Sequence, residues 1–153
     1  MSAYKHKLDI VSRTREILSD LSDIKYEKTL ILNCSLGLLI IPQQAGKKNN
    51  AIEIDGEISS EEWGIDPCDI KGPKKSRSIK EIADHFRNSL AHGKFDIVDC
   101  NGDTIEFVHI RDYDYPYDEE SQVPNFEITL HFSDYKRFIV KYAKELEAKL
   151  TLM

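Results

Sequence analysis

Residues 78–94 run SIKEIADHFRNSLAHGK, and the way they spell a helix sets the plan for the rest of the chain. Ser78 is an N-cap residue type and Glu81 stands three places on, the spacing of a capping box. Gly93 occupies the place where a left-handed residue ends a helix. Between these marks Ile79, Ile82, Ala83, Phe86 and Leu90 fall on one stripe, the face such a helix buries. Four polar residues, His85, Arg87, Asn88 and His92, lie off that stripe. With Asn88 at zero on a wheel of about 100° per residue, His92 lies about 40° and His85 about 60° to the same side. Arg87 lies about 100° to the other side, and its long side chain can swing onto that face.

Working outward from this helix, two more are predicted before it. Over 4–21, Tyr4, Leu8, Val11, Thr14, Leu18 and Leu21 share one face, the pattern of an amphipathic helix laid on a core. A second spans about 23–41, apolar nearly all round in its latter half and stopped by Pro42. Gly37 within it either admits a neighbouring backbone or is a tolerated helical glycine. Residues 43–72 read as polar and irregular, with Lys47, Lys48 and two asparagines at an exposed tip and Trp63-Gly64-Ile65 pinning the excursion back onto the helices.

After the central helix the period changes to two. Phe95 and Ile97 alternate, Asn101-Gly102 signals a hairpin, and Ile105 and Phe107 alternate again. An acidic, tyrosine-bearing loop over 111–124 leads to a third strand carrying Phe126, Ile128 and Leu130. Ser133 then caps a last helix whose inner face is Tyr135, Phe138, Ile139, Tyr142, Leu146 and Leu150. The expectation is a mainly α fold, a four-helix bundle with a small antiparallel β-sheet inserted before the last helix, in one domain over residues 1–153.

Composition narrows the function. The 153 residues can bury a core without staples. A formal net charge of −6 provides no global attraction to nucleic acid, so any such binding needs a local basic patch. Lys71, Lys74, Lys75, Arg77 and Lys80 make the one dense basic run and feed into the central helix. It reads either as a phosphate track or as a solvated charge run on a loop. Cys34, Cys68 and Cys100 are odd in number and widely spaced, which argues against a disulfide framework or a zinc knuckle. The expected compartment is the cytoplasm, with no membrane partner: no leader opens the chain, and its most apolar stretch, 30–41, is too short for a bilayer. No metal or other cofactor is expected; Glu81 and His85, one turn apart, make a weak site.

The segment Arg87-Asn88-Ser89-Leu90-Ala91-His92, preceded by His85 and followed by Gly93, resembles the R-x(4–6)-H signature of the HEPN superfamily. The likeness extends to Glu27-Lys28-Thr29-Leu30, to Asn33-Cys34-Ser35-Leu36-Gly37-Leu38-Leu39, to Trp63-Gly64-Ile65 and to the return helix, as in a bacterial stand-alone HEPN nuclease subgroup. It implies a helical bundle that pairs as a homodimer with two motifs facing across a cleft. It also implies a metal-independent endoribonuclease, a toxin or phage-defence effector, with an antitoxin or other operon partner. Arg87, Asn88 and His92 would then be catalytic, and His85, Lys71, Lys74, Lys75, Arg77, Lys80 and Lys94 would bind RNA. HEPN toxins modified by a nucleotidyltransferase antitoxin often carry a tyrosine two places after the motif histidine; that position here is Lys94, so the likeness does not carry the modification. The residue types suit the chemistry. Histidine moves protons near neutral pH, and a guanidinium, always charged, matches phosphate. The alternative is a non-catalytic RNA- or nucleotide-binding module, or a dimerising interaction module, of the same type.

Overall fold

In the computed structural model of the protein, residues 3–20, 27–44, 52–99, 106–113 and 123–152 are described. They form two compact units, one from residues 1–54 with 138–153, the other from residues 55–137. The fold is mainly α, with a three-stranded antiparallel sheet before the final helix.

The first unit holds α1 (Ala3–Asp20), α2 (Glu27–Gln44) and the part of α5 (Phe132–Thr151) that follows Arg137. Val11 and Leu18, two turns apart on α1, are fully buried, while Leu8 and Thr14 are half-buried on the same face. The side chains of Tyr4 and Leu21, assigned to that face from the sequence, lie outside the described residues. Ser12 Oγ donates to Glu147 Oε1 at 2.7 Å, and Arg15 pairs with the same carboxylate. Burial alone would raise the pKa of Glu147, but the hydrogen bonds from Arg15 and Ser12 outweigh it and hold the carboxyl below its ordinary value. From α5 this unit buries Phe138, Ile139, Tyr142, Ala143, Leu146 and Leu150, the predicted inner face after Tyr135 with Ala143 added.

Helix α2 departs from expectation twice. It runs through Pro42 to Gln44. The φ that proline fixes is compatible with a helix, so the chain continues two residues past it at the cost of one backbone hydrogen bond. Gly37 meets nothing within 4 Å when given a Cβ, so among the described residues no neighbouring backbone approaches it. It is a tolerated helical glycine. The buried residues of α2, Ile31, Leu32, Ser35, Leu38 and Leu39, leave Leu30 and Asn33 exposed.

The second unit contains α3 (Ser60–Trp63), a 3₁₀ turn (Pro67–Asp69), α4 (Ile79–Ala91), β1 (Phe95–Asp99), β2 (Glu106–Asp112), β3 (Phe126–His131) and the first turns of α5. The stretch expected to be irregular is thus partly helical. Its Trp63 and Ile65 are buried, and Arg137 on α5 donates to the carbonyls of Ser60 and Glu61, so the predicted clip closes on the start of α5. Lys47, Lys48 and the neighbouring asparagines lie outside the described residues.

The sheet order is β1-β2-β3, and β2 is the centre strand. Phe126, Ile128 and Leu130 are buried as predicted. In β2 the inward residues are Val108, Ile110 and Asp112, one place out of step with the Ile105/Phe107 alternation read from the sequence. Phe107 sits on the opposite face, its ring centroid 4.4 Å from that of His131. The reason is register: Val108 lies opposite Leu130 and Ile110 opposite Ile128, which joins the apolar faces of both strands. Ile97, read with Phe95 as the alternating apolar positions of this strand, is 40% exposed, and the adjacent Val98 is 42% exposed. Among the described residues β1 has β2 as its one neighbour. Asn101, Gly102 and Ile105 lie outside the described residues. Ser133 is not a cap, because β3 ends at His131 and α5 begins at Phe132, leaving no linker in which a separate cap could stand.

Helix α4 packs on β2, with the predicted stripe of Ile79, Ile82, Ala83, Phe86 and Leu90 buried. Phe86 meets Phe126 edge-on at 6.1 Å and Tyr135 at 5.8 Å. Ser89, fully buried, brings its hydroxyl within 2.6 Å of the Arg111 carbonyl and 2.8 Å of the His85 carbonyl, joining helix to strand. Among the described residues no helix is long and apolar enough to cross a membrane.

Candidate active site on helix α4

Both ends of α4 are set by the residues that mark them in the sequence. Ser78 Oγ accepts the Glu81 N–H at 3.4 Å. The reciprocal half of the capping box is taken over, since the Ser78 N–H donates to Ser76 Oγ at 3.1 Å. At the far end the Lys94 N–H reaches the Ser89 carbonyl at 2.8 Å and the Gly93 N–H the Leu90 carbonyl at 3.3 Å. This is a Schellman closure, made possible by Gly93 at φ +67°. It fixes His92 as the C-cap residue, its backbone N–H on the Asn88 carbonyl at 3.0 Å and its side chain exposed.

Upstream of His92 the polar residues form a chain. Arg87 donates from Nη2 and Nε to Asn88 Oδ1, at 2.9 and 3.3 Å. Asn88 Nδ2 donates in turn to Asp112 Oδ2 at 3.3 Å. The same oxygen lies 2.6 Å from His85 Nδ1, and the other carboxylate oxygen accepts the Tyr113 N–H at 3.0 Å. The His85 ring stacks on Phe126 with centroids 4.4 Å apart and planes 10° from parallel. Phe126 and Asp112 face each other across the β2–β3 ladder, so one cross-strand pair supplies both the flat seat and the anchor for His85. Arg87 Nη1 is buried without a hydrogen-bond partner and stands 3.6 Å from Asp84 Oδ1, too far for a hydrogen bond.

The residues predicted from the sequence are therefore dispersed along the helix. His85, Arg87 and Asn88 are brought together by Asp112. His85, assigned to RNA contact, is mostly enclosed, with 14% of its side chain exposed. Lys71, Lys74, Lys75, Arg77 and Lys80 are exposed at the other end of α4 from His92 and Lys94. Lys80 and His92 are roughly 18 Å apart along the axis at about 1.5 Å per residue. The basic segment is held by backbone bonds, with Lys71 bridged to Glu127 on β3 and the Lys74 N–H on the Asn125 carbonyl. Gly72 makes this possible: at φ +108°, an added Cβ would sit 2.2 Å from the Asn125 carbonyl oxygen.

Asp112 is the residue that sequence reasoning missed, because 111–124 read as an acidic loop. The signal was present in the alternation Val108, Ile110, Asp112, which places a carboxylate on the inward face of a strand.

A family model described as HEPN pEK499 p136 matches residues 1–150. No curated protein and no solved structure is significantly similar to the chain.

Proposed function

The chain belongs to the HEPN superfamily, and from this premise we propose that it is a metal-independent endoribonuclease acting as a homodimer. The 2′-hydroxyl of RNA attacks the adjacent phosphorus and the bond to the 5′-oxygen breaks, leaving a 2′,3′-cyclic phosphate and a 5′-hydroxyl. His92 moves the proton, from the attacking hydroxyl or to the leaving oxygen, with its counterpart in the second copy completing the transfer across the two-fold axis. Arg87 neutralises charge building on the non-bridging oxygens. Asn88 has both ends of its amide engaged within the protein, so its part is to hold Arg87. Cleavage of cellular or invading RNA would suit a toxin or defence effector held in check by a partner protein.

The observation that supports this reading is the state of Arg87. Its guanidinium is held at two nitrogens by a neutral amide, and its third nitrogen, paired with Asp84 only at 3.6 Å, is buried without a hydrogen bond. A buried donor of this kind is an exception that calls for a ligand or a role, and a phosphate oxygen would satisfy it.

The test is cleavage of mixed single-stranded RNA in the presence of EDTA, alongside light scattering at micromolar concentration. The wild type is expected to be a dimer and to release cyclic phosphates. His92→Ala should lose about 10²–10⁴-fold in rate, the range of general acid–base catalysis, while keeping most RNA affinity. Arg87→Ala should lose both cleavage and binding. A wild-type dimer that binds RNA, leaves it uncut and is indistinguishable from His92→Ala would make this a binding module instead.

A further inference from the structure

Resting on that reading, we infer that Asp112 is a positioning residue which, through Asn88, sets the orientation of Arg87 and at the same time fixes the tautomer of His85. The carboxylate is enclosed, with 7% of its side chain exposed, and it faces two donors, the Tyr113 N–H and Asn88 Nδ2, and the ring nitrogen His85 Nδ1 at 2.6 Å. An ionised carboxylate only accepts, so each of these groups must present hydrogen to it. For Asn88 this decides which way the amide points. Its nitrogen turns to Asp112 and its oxygen is left to Arg87, where it takes both Nε and Nη2. For His85 it places the proton on Nδ1, on a ring already seated flat on Phe126. A substitution at position 112, on β2, therefore reaches the guanidinium on α4 without touching it. Asp112 contacts no substrate in this scheme. It acts by settling the geometry of groups that do.

Asp112→Asn tests this with almost no change of volume. The new amide would aim an NH₂ either at the Tyr113 N–H or at Asn88 Nδ2 and His85 Nδ1 together, and in both orientations the charge that holds the His85 proton and fixes the Asn88 amide is lost. Side-chain NMR reads the outcome directly. In the wild type the His85 Nδ1 proton, bound over 2.6 Å to a carboxylate, should appear far downfield and exchange slowly, and the Arg87 Nε–H should give a single ordered signal. In Asp112→Asn the first should be lost and the second averaged. In the cleavage assay kcat should fall by about 10²-fold, the scale of a small misplacement at a reacting centre, with KM little changed. A second variant, Asn88→Ser, cuts the relay below Asp112. It should release Arg87 while leaving the His85 proton downfield, and it serves if Asp112→Asn does not fold.

A folded Asp112→Asn protein with wild-type His85 and Arg87 signals would overturn the inference. So would an Asn88→Ser protein in which Arg87 remains ordered. The NMR arm decides the relay whether or not RNA is cut; a wild type that cleaves nothing sinks the nuclease reading alone.

Discussion

Arg87 illustrates how much a single neighbour decides at the scale of one residue. Arginine side chains carry about 2 kcal/mol of rotamer entropy, and here two hydrogen bonds to the oxygen of Asn88 limit that freedom in the folded chain. Gly72 is the backbone counterpart. Its φ of +108° and the 2.2 Å gap between an added Cβ and the Asn125 oxygen leave no room for a side chain. Gly72→Ala should destabilise the protein by about 1–3 kcal/mol from backbone strain alone, with the clash adding to it. A lowered urea midpoint at unchanged slope is the expected result; an unchanged midpoint would mean the turn relaxes without loss.

At the scale of elements, what the sequence discloses depends on whether local chemistry or long-range register sets the answer. The ends of α4 are legible because Ser78 and Gly93 act on their own backbone neighbours. The inner faces of α4, β3 and α5 are legible because their apolar periods are unbroken. The face of β2 is not, since Phe107 and Val108 are both apolar and only pairing with Leu130 and Ile128 chooses between them. Asp112 escapes recognition for the same reason: its inward orientation follows from the register, and a short acidic run in isolation looks like solvent. Helix α2 carries a prediction of the opposite sign to that for Gly72. Gly37 meets open space in a helical backbone, so Gly37→Ala should stabilise the protein by about 0.8–1 kcal/mol, the difference in helix propensity. Thermal and urea melts check it. Destabilisation instead would indicate a neighbour against that face.

For the molecule as a whole, charge and shape set the terms on which it meets other molecules. An overall charge of −6 repels RNA, so in the proposed function the local attraction would come from the exposed cations at the start of α4. Neutralising Lys74, Lys75 and Arg77 together should weaken RNA binding at low salt. It should also flatten the slope of log affinity against log salt by up to about 2, at roughly 0.7 for each single-strand phosphate no longer neutralised. An unchanged slope would return the segment to a solvated loop. The same net charge has a bearing on strand β1, whose Ile97 and Val98 are exposed beside a backbone edge with one described neighbour. Such an edge is a template on which a further strand can add. Mutual repulsion between like-charged molecules opposes that at neutral pH and fades as the medium approaches the isoelectric point near 5.4. Colloidal stability and the exposed edge are thus coupled, and mildly acidic solution is where the chain is most inclined to associate with itself.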